Sequence, residues 1–224
     1  MWDLVNIYNK DFPWYNDTPG YLWQQSICWC FIVISGFSFS LSKRPWLRSV
    51  VIFGAGAVIT FITVRFIPSL SIWFGILTLI GSCWIICSIL NPVLIKFPSS
   101  VGIVISALLF FFTREVNNGY LGFEGFKIYR LPSKIYSGYI STYLGFPMPG
   151  FFSTDYFSLI PWFFLFITGY FLFKFYDKHL RDKDKTFRVV PILGYVGRDT
   201  LYIYLAHQPI IYIVLYFCNR MGLI

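Results

Sequence analysis

Charge is scarce in this chain. Of 224 residues only 12% are Asp, Glu, Lys or Arg, ten of them acidic, and there are two histidines. A soluble domain carries about 25% charged residues, so too few remain here to cover a water-facing surface. That shortage excludes a soluble globular domain and a disordered chain. It also excludes a nucleic-acid-binding module, despite the net charge of +8. The five cysteines all lie in apolar stretches, and none has a histidine or carboxylate at metal-ligand spacing. A disulfide scaffold and a metal site are therefore not expected. Walker, Rossmann and zincin signatures are absent too. What the chain does hold is 57% hydrophobic and 22% aromatic residues. That composition belongs to an all-α, polytopic membrane bundle with the lipid bilayer as its partner.

Six apolar runs, near 21–41, 46–67, 71–95, 99–113, 158–176 and 200–217, approach the length a helix needs to cross hydrocarbon. They are continuous rather than alternating, which favours helices over barrel strands. The flanking charges orient them. Eleven of the 18 basic residues fall on three connections of one side: Lys43, Arg44 and Arg48; Lys96; and the basic stretch 174–198. The positive-inside rule places that side in the cytoplasm and both termini outside, as for a multi-pass protein of a bacterial plasma membrane. The chain is expected to form a single transmembrane domain over 1–224.

The longest outer connection, 114–157, is rich in Tyr, Gly, Pro and Ser. Its aromatic content predicts an ordered lid over an outward-facing cavity, with 133–143 lying along the interface. Within the spans, FIVISGF at 31–37 echoes FLFITGY at 164–170, in two runs of the same direction. Its small residues suit close helix packing. Chance convergence of apolar sequence is the favoured reading of the echo.

His207 is the sharpest chemical feature. It stands eighth in the run 200–217, and ionisable groups at such depth usually face a bundle interior or a wet cavity. Tyr204 and Gln208 accompany it, and Pro209 removes the backbone donor that would bond the Leu205 carbonyl. The cluster suits a general base or proton relay; a satisfied structural histidine is the competing reading. At the inner mouth of that span, Asp199 reads as a helix N-cap. Arg198, with Lys43, Arg44 and Arg48, reads either as a phosphate site or as ordinary topology charge. On the outer side, Asp155 stands near the entrance of the fifth span. It reads either as a ligand for an acceptor hydroxyl or amine, or as a cap. Tyr156 and Trp162 accompany it as acceptor-binding candidates. Arg65 and Arg114 end spans on the same side and either snorkel or bind an anion.

Several stretches together resemble one family. GRDTLYIYLAHQP at 197–209, FGILTLIG at 74–81, PGFFSTDYFSLIPW at 149–162 and the Ser35-Gly36 pair are similar to small bacterial proteins of the heparan-alpha-glucosaminide N-acetyltransferase catalytic family. The resemblance spans nearly the whole chain and extends to the wider transmembrane acyltransferase group. It implies acyl transfer, commonly of acetyl from acetyl-CoA, to a sugar or glycan amine or hydroxyl across the membrane. On that reading His207 is the base and Asp155 and Tyr156 help bind the acceptor. Arg198, Lys43, Arg44 and Arg48 hold the coenzyme A diphosphate. The family has seven spans, and MWDL at 1–4 resembles the run just after its first helix. That helix and its histidine are therefore expected to be missing, and Thr78 stands where relatives often have His. A transporter or flippase with His207 as a proton-coupling site, and a non-catalytic scaffold, are the rival readings. The acyl group, the acceptor and a homo-oligomeric state are left open.

Overall fold

The computed structural model describes residues 17–179 and, near the C-terminus, Ile210, Ile211, Val214, Leu215, Phe217, Cys218, Arg220 and Met221. The chain divides into two compact units, and the described part of the larger one runs from Trp29 to His179. In the smaller unit the described positions from Ile210 to Arg220 are helical. The rest of the sixth expected span lies outside the described residues.

Among the described residues five helical stretches are long and apolar enough to cross a membrane. Four correspond to α1 (Thr18–Phe39), α2 (Pro45–Phe66), α3 (Ile76–Leu94) and α4 (Ser99–Thr113). After α4 come a hairpin of β1 (Tyr120–Phe123) with β2 (Phe126–Arg130) and the short α5 (Gly138–Leu144). The fifth long helix is α6 (Leu159–His179). Pro45 starts α2 at its first position, where its missing N–H costs nothing. Val58, Phe61, Ile89 and Leu108 are exposed, as side chains facing lipid should be.

The third helix starts later than its apolar run suggests. Residues Pro68–Leu70 form a 3-10 turn, and regular α-helix begins only at Ile76. Phe74 takes a left-handed φ of 56° and Gly75 is the extended N-cap. Five residues of apparent span thus form a non-helical strap before α3. Irregular backbone is tolerated there because protein covers it.

Small residues let the helices approach closely. α2 and α3 run antiparallel, with Gly56 against Thr78 and Gly81 against the backbone of Phe53. α4 and α6 are antiparallel as well, joined by Ser106 Oγ and Thr168 Oγ1 at 2.9 Å. The sequence echo proves to be a contact. α1 and α6 cross in parallel through the two repeats themselves. A Cβ on Gly36 would lie 2.0 Å from the Phe166 carbonyl oxygen, and one on Gly169 would lie 2.1 Å from that of Val33. Under the alignment of 31–37 with 164–170, these two contacts are equivalent. The neighbouring hydroxyls match too: Ser35 accepts from Trp84 Nε1 at 3.1 Å, and Thr168 meets Ser106. The echo is therefore a local pseudo-twofold packing device rather than coincidence of composition.

The helix directions place the α1–α2 and α3–α4 connections at one end. Lys174 of α6 belongs to that end: its Nζ donates to the carbonyls of Leu94 at 3.3 Å, Ile95 at 2.6 Å and Phe97 at 2.5 Å. A cation thereby satisfies carbonyls that the end of α3 leaves open. Lys43, Arg44, Arg48, Lys96 and Lys174 thus share one end, as their charge pattern requires.

Candidate functional site

At the opposite end, two stretches about 80 residues apart are laced together. The strap before α3 pairs with the segment before α6. Thr154 N–H donates to Ser71 O at 3.1 Å and Phe157 N–H to Phe74 O at 2.9 Å. Ser153 Oγ accepts from Trp73 N–H and donates to Trp73 O, both at 2.9 Å. Asp155 closes the seam: its Oδ2 accepts from Ile76 N–H at 3.2 Å. A carboxylate at a helix N-terminus satisfies an open donor and complements the dipole. The helix it caps is α3, not the fifth span whose entrance it was expected to serve. Gly75 makes room, since a Cβ there would lie 3.0 Å from Asp155 Oδ2.

Burial pushes the Asp155 carboxyl above its ordinary value, and the Ile76 N–H opposes that shift. An acid raised in the folded state binds its proton more tightly there than in the unfolded chain. Stability from this group is therefore lost as pH rises from the ordinary carboxylate value through the raised one, and regained on acidification. Asp155→Asn keeps an acceptor for Ile76 N–H and is expected to flatten this part of the pH dependence of thermal unfolding. Asp155→Ala removes the cap and is expected to cost about 1 kcal/mol at acidic pH and less once the pH has risen through the raised value.

An aromatic cover surrounds the seam. Phe74 lies 5.3 Å from the Tyr143 ring and 6.2 Å from Phe151, and Trp73 lies 5.6 Å from Tyr139. From α5, the Tyr143 hydroxyl reaches into the bundle and donates to Ser82 Oγ. Ser82 in turn donates to Thr78 O at 2.5 Å. Both Thr78 and Ser82 are buried. This latch ties α5 to the FGILTLIG stretch, and Tyr143 carries no sequence signal beyond its aromatic neighbours. Tyr143→Phe is expected to keep the packing and lose about 1 kcal/mol. Hydrogen exchange of 138–144 should accelerate while the centre of α4 is unchanged.

The connection 114–157 folds into the hairpin and α5, and two of the candidate ligands beside it are occupied. Tyr156 donates its hydroxyl to Thr142 O at 2.5 Å, and burial pushes its pKa up to about 12. It braces the lid rather than presenting a free hydroxyl. Trp162 is 5% exposed, packed against Phe110 and Phe157. The Arg114 guanidinium covers its ring at 4.7 Å, with Glu124 4.0 Å from Arg114 Nε. Trp162 is therefore packed in the core, and Arg114 faces inward instead of snorkelling. Arg65 is exposed.

At the other end, Lys43, Arg44 and Arg48 are exposed around the start of α2 and form no ion pair among the described residues. Three free cations of this kind fit a diphosphate. Among the described residues no group of His, Cys, Asp and Glu could hold a metal, and the described cysteines are free thiols. Arg198, Tyr204, His207 and Gln208 lie outside the described residues.

No curated protein and no solved structure matches the chain. A protein family does: the family described as heparan-alpha-glucosaminide N-acetyltransferase, catalytic, matches residues 1–209. That stretch contains the strap, the lid and the seam joining them, as well as the echo helices. With 209 of 224 residues matched and apolar helices of spanning length, the chain belongs to the heparan-alpha-glucosaminide N-acetyltransferase catalytic family and is an acetyltransferase-like membrane protein.

Proposed function

We propose that this chain transfers an acetyl group from acetyl-CoA to an amine or hydroxyl of an envelope sugar, in the plasma membrane of a bacterium. The observation that carries the reading is the family match over 1–209. The donor enters from the end that bears Lys43, Arg44 and Arg48, and these cations hold its diphosphate. The acceptor approaches from the lidded end. There Asp155 has one oxygen engaged by Ile76 and takes no second hydrogen bond among the described residues, so its other oxygen orients an acceptor hydroxyl or amine. His207 withdraws the acceptor proton as nitrogen or oxygen attacks the thioester carbonyl. The new C–N or C–O bond forms, the C–S bond breaks, and the proton leaves with the coenzyme A thiol.

Calorimetry with coenzyme A tests the donor half. Wild-type protein is expected to bind it, and Lys43→Gln/Arg44→Gln/Arg48→Gln to bind it at least about tenfold more weakly. Undetectable binding to the wild type at millimolar ligand would favour a non-catalytic scaffold.

A further inference from the structure

Every residue of β2, from Phe126 to Arg130, is exposed. Phe126 is 75% exposed and Ile128 56%. Among the described residues β2 is also the edge of a two-stranded sheet, so one side of its backbone has no ladder partner.

The position of this strand is fixed by its neighbours. β1 folds back on the end of α4, where Glu115 N–H donates to Gly122 O at 3.1 Å. The base of the hairpin closes through Leu131 N–H to Gly119 O at 2.9 Å. A bulge at Leu121 and Gly122 bends the ribbon. A Cβ on Gly122 would run into Phe126 O, so glycine is what lets the strands close there. The bend brings the tip down beside the helices. The Phe123 ring lies 4.9 Å from Phe111, in the last turn of α4, and 6.4 Å from Trp29 of α1. Phe111 and Phe112 are exposed themselves, so the apolar surface of the α4 span continues through Phe123 onto the hairpin.

Two costs set the depth at which such a strand can sit. In hydrocarbon the free N–H and C=O groups of its open edge would find no partner. In open water Phe126 and Ile128 would extend an apolar patch that soluble surfaces avoid. The headgroup layer satisfies both demands: water and headgroups serve the edge, and the acyl boundary takes the apolar side chains. Charge then selects the lipid. Lys127 and Arg130 form no ion pair among the described residues, and Lys127 Nζ stands over the Tyr120 ring at 4.4 Å. The nearby carboxylates are engaged, Glu124 near Arg114 and Glu115 by Asn118. The unpaired charge of the hairpin is therefore positive. A second copy packed here about a twofold axis would set these cations against their own equivalents, which like-charge repulsion opposes.

We propose that β2 docks on the membrane surface at the hairpin end of the bundle and binds anionic phospholipid, with Phe126 and Ile128 in the acyl boundary and lipid phosphates on Lys127 and Arg130. The proposal is independent of acetyl transfer. Its test is hydrogen exchange of the full chain in nanodiscs of phosphatidylcholine alone and of phosphatidylcholine with phosphatidylglycerol. The amides of 126–130 are expected to exchange roughly tenfold more slowly with phosphatidylglycerol present, and salt to shrink the difference, while the centre of α4 is unchanged. Lys127→Gln/Arg130→Gln should abolish the difference, and Lys127→Arg/Arg130→Lys should keep most of it. Phe126→Ser/Ile128→Ser should speed exchange in both lipids. Unchanged thermal unfolding in neutral detergent confirms that the variants are folded.

Equal exchange of 126–130 in the two lipids, or a difference that survives in Lys127→Gln/Arg130→Gln, overturns the proposal. So does equal exchange together with a dimer in neutral detergent that Phe126→Ser/Ile128→Ser dissociates; that result assigns the strand to a second copy of the chain.

Discussion

Gly36→Ala and Gly169→Ala are each expected to destabilise the bundle by about 3 kcal/mol or more, whereas Gly54→Ala is expected to leave it unchanged or slightly firmer. The contrast follows from what a methyl group meets. At Gly36 and Gly169 it would lie about 2 Å from a backbone carbonyl oxygen of the facing helix; at Gly54 it meets nothing within 4 Å. A rotating side chain can yield to a methyl, but a helix backbone yields only by moving the whole helix, which strains the surrounding core. Total stability of a domain is typically 5–15 kcal/mol, so either change alone should lower the melting temperature in detergent by many degrees. At Gly54, inside α2, alanine instead restores helix propensity. The double variant carries a sharper expectation. One shift of α1 from α6 relieves both clashes, so its cost should fall well short of the sum of the singles. Strict additivity, or a Gly36→Ala protein that melts with the parent, would contradict the parallel crossing.

His207→Ala is expected to reduce acetyl transfer by about 10²- to 10⁴-fold, the span that general-base catalysis supplies. Membrane insertion and melting should stay near those of the parent. The measurement is transfer of labelled acetyl from acetyl-CoA to glucosamine, at saturating and at limiting acceptor. Loss in kcat with little change in KM fits a base that acts in the transition state. A fully active, fully folded variant would refute the role assigned to His207.

The spans were legible because lipid leaves the backbone no alternative to long apolar helices. The start of α3 was not. Ile72, Trp73 and Phe74 look like membrane residues, yet the helix waits for Ile76, whose N–H is capped by a carboxylate 79 positions away. No local pattern announces a cap supplied from so far. For the same reason Asp155 was recognisable as a cap but assigned to the wrong helix. The hairpin, in contrast, left a readable mark. Glu124 and Gly125 both take positive φ between Phe123 and Phe126; Gly at the second position fits a two-residue turn, although Glu stands where Asn or Asp is usual. So short a turn stands out little in a chain dominated by apolar helices. The echo was visible as sequence, but its meaning required knowing that the two copies touch. Trp162, an aromatic beside a candidate carboxylate, resembles a sugar platform in sequence, and no local pattern announces that Arg114 covers its ring.

The most direct test of the account uses sealed proteoliposomes with glucosamine trapped inside and labelled acetyl-CoA supplied only outside. The account predicts that N-acetylglucosamine appears in the lumen, that the label stays outside without the protein, and that His207→Ala slows its appearance about 10²- to 10⁴-fold. Glucosamine escaping unmodified, at the same rate with or without acetyl-CoA, would contradict it and mark the protein as a transporter.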